Sequence, residues 1–223
     1  MGRQFNPPLE LDSTRLRIVT IRMVMTRRLN VEARRRILEA AHDLFLERGL
    51  KGASMEEVAS AAGIKKANLF HYYPSKECLE LAVLERAAGE MKEQVEAQLS
   101  PKVRDPVRAV ASMFEQAGRG MRERRCRGGC FLGNLAQEAS DHNEAIRVKV
   151  SEFLHYWTEQ LASFLERGRA SGYFRPELEP RTAAEAILAL FEGALLFSKA
   201  SRRADPLESS KRMAVAYLQG FRT

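Results

Sequence analysis

Apolar positions recur every three to four residues along most of this chain, and no useful length shows strict alternation. That spacing predicts helices throughout and an all-α fold. Between residues 31 and 48, Ile37, Leu38, Ala41, Leu44 and Phe45 fall on one side of a helix. Arg34, Arg35, Glu39, Asp43 and Glu47 lie elsewhere on it, and Gly49 and Gly52 punctuate its end. Met55, Val58, Ala59 and Ala62 repeat the pattern over a shorter stretch. Ser54 precedes that stretch and Glu57 follows three residues later, the spacing of a capping box. Gly63 predicts its end, because glycine enters the left-handed region at little cost. A second short helix is expected over residues 65–72, with Leu69 facing inward and Ile64 plugging the angle between the pair. Pro74 stops it, Ser75 caps the next helix, and Glu77 stands in that helix's first turn, where negative charge is favoured.

The rest of the pattern is also helical. A long helix is expected over 75–99, a linker bracketed by Pro101 and Pro106, and a helix over 106–123 carrying Val107, Val110, Ala111, Phe114 and Ala117. Cys126-Arg127-Gly128-Gly129-Cys130 reads as a break before a short helix over 131–140. Ile146, Val150, Phe153, Leu154, Trp157, Leu161, Phe164 and Leu165 mark the clearest long helix, 143–168. Two more follow at 180–201 and 206–221. Their apolar residues (Ile187, Leu188, Leu190, Phe191, Ala194, Leu195, Phe197, then Met213, Ala214, Tyr217, Leu218) cover more than one face. One face packs inward and another calls for a partner.

Composition sharpens this division. The 223 residues suffice for a small and a medium domain with a real core. The formal net charge is +7, and six of those seven surplus positive charges lie in residues 1–76. Such a gradient suits a nucleic-acid reader, whose affinity comes largely from neutralising phosphates. We therefore expect three parts: 1–25, a disordered arm or upstream extension; 26–76, a helix-turn-helix unit; 77–223, a larger helical domain. Arg17, Arg22, Arg27 and Arg28 would let such an arm reach a minor groove, with plain disorder as the other reading. Arg15, Arg17 and Arg22 break up the apolar patch at 18–21, so no signal-peptide core is read there, and a cytoplasmic protein off the membrane is expected. Three cysteines, Cys78, Cys126 and Cys130, do not make an even disulfide framework.

The run from Arg36 through Leu81 resembles the N-terminal domain of TetR-family transcriptional regulators. The resemblance is carried by Ile37-Leu38-x-Ala40-Ala41-x-x-Leu44-Phe45, Arg48-Gly49, Val58-Ala59-x-x-Ala62-Gly63 and Leu69-Phe70-His71-Tyr72-Tyr73-Pro74-Ser75-Lys76. It implies a dimeric regulator, most often a repressor, that binds a palindromic double-stranded DNA operator and responds to a small-molecule effector. Its C-terminal helices, here 180–201 and 206–221, would pair into a four-helix bundle. Two reading helices would then stand about 34–36 Å apart.

For DNA the expected contacts are Ser54, Lys65, Lys66, Asn68, His71, Tyr72 and Lys76. Lys65, Lys66 and Asn68 open the reading helix, where lysine can serve guanine and asparagine adenine. His71 reads as a packing residue or phosphate donor. Tyr72 and Lys76 are backbone contacts by resemblance, and Ser54 is a candidate phosphate holder. The chain departs from the family pattern at Lys65, Ala67, Asn68 and Phe70, and Phe70 lacks the hydroxyl usual at its place.

By resemblance, an effector pocket lies among the middle helices, and Met113, Phe114, Met121, Phe131, Leu135, Phe153, Trp157 and Phe164 are its candidates, each of a kind more often core than cavity. Their character predicts an apolar or aromatic effector. The run Gly129-Cys130-Phe131-Leu132-Gly133-Asn134-Leu135-Ala136, with Glu138, resembles a subgroup that senses electrophiles and oxidants through a cysteine. Arg122, Arg124, Arg125 and Arg127 and a helix N-terminus would favour a thiolate at Cys130, and Cys126 would resolve its oxidised form. A buried, inert cysteine is the other reading.

No Gly-x-Ser-x-Gly, His-Glu-x-x-His, Walker loop or dinucleotide fingerprint is present, so no enzyme and no cofactor is expected. A thiol enzyme pairing Cys130 with His142 or His155 lacks fixed geometry. A zinc site from Cys126, Cys130 and His142 lacks a fourth ligand. A non-specific architectural DNA binder is the remaining alternative.

Overall fold

A computed structural model describes residues 13–223, with side chains from residue 30 onward. Among the described residues there are nine helices: α1 (Ser13–Arg48), α2 (Met55–Ala61), α3 (Lys66–Tyr72), α4 (Lys76–Gln98), α5 (Pro106–Glu123), α6 (Phe131–Ala139), α7 (Glu144–Ala170), α8 (Pro180–Ser201) and α9 (Asp205–Gln219). Among the described residues the one extended pairing is an isolated antiparallel bridge between Phe174 and Arg222. No described helix is long and apolar enough to cross a membrane.

The local signals act as their chemistry dictates. Ser54 accepts from the Glu57 N–H, while the Glu57 carboxylate takes the Ser54 N–H, which closes the capping box. Gly63 lies at φ +66° just past α2. Ser75, Asp105 and Asn143 each accept a backbone N–H in the first turn of α4, α5 and α7. The break between α5 and α6 is sharp, with Arg125 and Cys126 both at positive φ.

The helix ahead of the turn is longer than the apolar stripe predicts. Its stripe begins near residue 31, yet α1 starts at Ser13, so residues 13–25 are helical rather than an irregular arm. The first part of the expected arm, 1–12, lies outside the described residues, as do the side chains of Arg17, Arg22, Arg27 and Arg28.

α1 packs on α2 and α4, and α2 packs on α3. α4 carries on into the larger unit, where it lies against α7. Arg86 of α4 reaches Glu39 of α1 at 3.3 Å, and Tyr156 of α7 donates to Glu96 of α4 at 2.8 Å. α4 is thereby tied at both ends. α5 packs on α9, α7 on α8, and α8 on α9. A single core runs from Ile37 to Leu218.

Candidate functional site

The short helix α3 is anchored by one side chain. Leu69 is fully buried and is its only buried residue. The remaining side chains are therefore presented outward. Lys65, Lys66, Ala67, Asn68, Phe70 and His71 are all exposed, and Tyr72 is half-buried. Most of the residues expected to contact DNA are thus exposed to solvent.

Several of those residues also carry protein contacts that spacing alone does not reveal. Ser54 donates its hydroxyl to Glu57 at 2.8 Å and its N–H at 2.9 Å, so the box already uses both donors. Lys66 pairs with Glu56 and lies 5.8 Å from the Phe70 ring centroid. Tyr72 donates to Asn30 at 2.9 Å. Lys76, expected as a backbone-phosphate contact, donates to the Leu50 carbonyl at 2.5 Å and is half-buried. It braces the α1–α2 turn. Lys65, Asn68 and His71 make no side-chain hydrogen bond to the described residues, apart from a ring contact of His71 with Tyr72 at 5.7 Å. These three are the side chains most available to a partner.

A cavity of about 570 Å³ opens between α1, α4, α5, α6, α7 and α8. Of the pocket candidates, Met113, Phe131 and Trp157 line it. Phe114, Met121, Leu135, Phe153 and Phe164 do not; each is buried in the surrounding core. Phe114 packs edge-on against Phe191 at 5.2 Å, and Phe153 leans on Trp157 at 5.8 Å. They shape the wall from behind.

The wall also carries polar groups that the apolar pattern missed. His42 comes from α1, beside the apolar Leu46, Gln94 and Gln98 from α4, Gln116 from α5, and Arg124 from the α5 C-cap. Gln98 donates to Gln116 at 2.6 Å. The amphipathic α1 supplied a signal for two of these, since His42 and Leu46 flank the buried row Ile37–Ala41–Phe45.

Cys130 lines the same cavity. It is the N-cap of α6, where its sulfur accepts the Gly133 N–H at 3.4 Å. The expected thiolate is corrected by its surroundings. Burial pushes the thiol pKa well above its ordinary value, and the neighbouring Glu192 carboxylate pushes it further, outweighing the α6 N–H groups. The Glu192 carboxyl is itself raised, first by burial, and its Oε1 has no protein partner. The arginines do not offset this: Arg122 lies over Gly118 and Arg124 over Gly120, Arg127 reaches Glu47 at 3.9 Å, and none of them acts on the thiol. Cys126 is buried, and all three cysteines are free thiols. Among the described residues no cluster of three or more His, Cys, Asp or Glu side chains is placed to hold a metal.

A direct strut joins the cavity to the reading unit. Glu138, near the end of α6, accepts the Leu50 N–H at 2.9 Å and the Lys51 N–H at 3.0 Å. Both donors belong to the turn between α1 and α2. Gly49, at φ +76°, lets the carboxylate approach; a Cβ there would stand 2.7 Å from Glu138 Oε2. Glu138 is the only charged residue of α6, a signal that marks it as needing a partner.

Two family models match this chain. The bacterial regulatory proteins, tetR family, match residues 37–83, and the tetracyclin repressor-like C-terminal domain matches residues 106–214. The chain belongs to the TetR family of transcriptional regulators. It is 25% identical over 175 residues to the transcriptional repressor DhaR of Mycobacterium sp. strain GP1, covering 78% of this chain and 86% of that one. The transcriptional regulator RutR of Escherichia coli is 50% identical over 48 residues, which cover 22% of this chain and 23% of the relative. The crystal structure of reduced E. coli NemR superposes with a TM-score of 0.75 at 26% identity, over 86% of this chain and 97% of that one.

Proposed function

We propose that this regulator is a homodimeric repressor that grips a palindromic operator and releases it when a small molecule fills the cavity. The carrying observation is α3, a seven-residue helix hung on Leu69 with Lys65, Asn68 and His71 turned outward. The major groove admits such a helix and distinguishes all four base pairs. Asn68 would pair with adenine and Lys65 with guanine; His71, Lys66 and Tyr72 would serve phosphates beside them.

Dimerisation is supported by the apolar residues left outside the core. Phe197 on α8 is 68% exposed and Met213 on α9 is 65% exposed, beside the exposed Leu196 and Tyr217. These helices pack on each other, so the four side chains belong to the sheath of one subunit and the seam of two. Replacing Phe197 and Met213 with glutamate should convert a dimer to a monomer in sedimentation.

The effector would act through α6. Its N-cap borders the cavity and Glu138, near its other end, grips the α1–α2 turn. A ligand that shifts α6 changes the pose of α2 and α3, and α4 tilts with them. Linkage requires only that ligand bind the two arrangements unequally. A thiol-responsive mode is a second reading, favoured by Cys130 in the cavity wall. It would proceed from a protonated, slowly reacting thiol; alkylating Cys130 and finding operator affinity unchanged removes it.

Selection of binding sites from a random duplex pool tests the main reading. Two inverted half-sites with centres about 10–10.5 base pairs apart, or a multiple of that, are expected. An unstructured pool, bound equally well throughout a salt titration, would instead indicate a non-specific architectural binder.

A further inference from the structure

We infer that the cavity takes an organic anion, a carboxylate carried on an apolar body of aromatic size. The inference deepens the reading of this cavity as the effector site and rests on it. The argument is one of polarity. No aspartate or glutamate lines the cavity, and Arg124 is its one permanent charge. The Arg124 guanidinium nitrogens lie 3.5 Å from the point a Cβ on Gly120 would occupy, and Gly120 is itself part of the wall. The cation is thus folded along the cavity's rim. Arg127 nearby has Glu47 at 3.9 Å, whereas among the described residues no carboxylate pairs with Arg124.

One donor in the wall lacks an acceptor. Trp157 is in the wall, and its Nε1–H is buried without a protein acceptor. The Gln94 amide adds a further donor, while the Gln98 amide already donates to Gln116 at 2.6 Å. An occupant rich in acceptors would satisfy these groups, while a cation would meet Arg124 and no counter-charge. The remaining wall is apolar, with Phe131, Phe191 and Met113 offering a surface for a ring. The volume of about 570 Å³ admits a ring with a short chain and a polar head.

The single tryptophan makes the test direct, because Trp157 is the only one in the chain and it stands in the cavity wall. The full-length protein would be titrated with 4-phenylbutyrate, 4-phenylbutyramide and 4-phenylbutylamine while tryptophan emission is followed. The acid should bind about fivefold or more tighter than the amide, with the amine weakest. Arg124→Gln, at an exposed position, should bring the acid down to the amide and leave the amide unchanged. The inference is overturned if the amine binds as well as the acid, if Arg124→Gln leaves the acid-to-amide ratio intact, or if none of the three perturbs Trp157. The measurement contains no DNA. Acid binding that leaves operator affinity unaltered would therefore sink the effector reading while the anion site stands.

Discussion

α3 is seven residues long and buries one side chain, Leu69; α7 is 27 residues long and buries nine residues, from Ile146 to Gly168. The first arrangement leaves nearly a whole helix surface for a partner outside the molecule. The second spends its surface on internal packing, and the gap left among α4, α5, α7 and α8 becomes the cavity. A reader of a regular duplex needs chemistry at fixed spacing on an exposed rod. A receptor for a small molecule needs an absence of atoms in a chosen place. The two regions therefore depend on opposite properties: sparse anchoring in one, incomplete packing in the other.

That contrast breaks first at Leu69. Truncating a fully buried leucine typically costs about 2–5 kcal/mol, and here no second anchor shares the load. Leu69→Ala should lower the denaturation midpoint sharply and abolish operator binding, while tryptophan emission from Trp157 in the native state stays close to wild type. A native emission spectrum that changes as much as DNA binding would show that the two regions are not separable.

Next comes the strut between them. Hydrogen bonds to a charged group contribute about 1.5–3 kcal/mol each, and Glu138 makes two to partly exposed partners. Glu138→Ala should cost about 2 kcal/mol in stability and speed hydrogen exchange at the Leu50 and Lys51 amides above other turns. It should also weaken the effect of any cavity ligand on operator affinity. Unchanged exchange at those two amides would remove the strut.

A smaller effect is expected at the reading face. Asn68→Ala should cost about 1–3 kcal/mol for each subunit's contact and relax preference at one base pair per half-site. Lys65→Ala, if it serves a phosphate instead of guanine, should weaken all sequences alike and reduce the salt slope by about one per subunit. Side-by-side salt titrations on selected and scrambled duplexes separate the two.

The smallest effect concerns Glu192. Burial raises its folded carboxyl pKa above the unfolded value of about 4.3. Its favourable contribution is therefore complete below that value and lost as pH rises through the higher folded one. Glu192→Gln should gain stability relative to wild type between pH 4 and pH 8. It also removes a charge that holds the Cys130 thiol up, so alkylation of Cys130, resolved by mass from Cys78 and Cys126, should quicken about twofold or more. A slower reaction would mean that Glu192 assists the thiol.

Much of the reading region was legible because few residues decide it. One inward leucine fixes the register of α3, Ser54 with Glu57 fixes the start of α2, and Pro74 closes the unit. The cavity was less legible for a physical reason. Periodicity says which face of a helix turns inward but not where inward-facing side chains fail to meet. Phe114, Phe153 and Phe164 share the character of Met113 and Trp157, yet only the latter two face the gap. For α1 the pattern showed only that His42 and Leu46 flank a buried row, not that they meet α5 and α8 across the gap. Electrostatics at Cys130 failed by the same cause: none of the nearby arginines acts on the thiol, while Glu192, 62 positions further along the chain, does.

His42 and Leu46 lie one helical turn apart on α1, the same helix whose Ile37, Ala41 and Phe45 row is buried in the core. The rod that carries the first element of the reading unit is thus also a piece of the receptor's wall. A molecule seated against it touches the instrument it controls. Retuning ligand choice at either position would retune grip on DNA in the same stroke, so variation in taste is expected to accumulate on α5 and α8, where the two duties do not share a backbone.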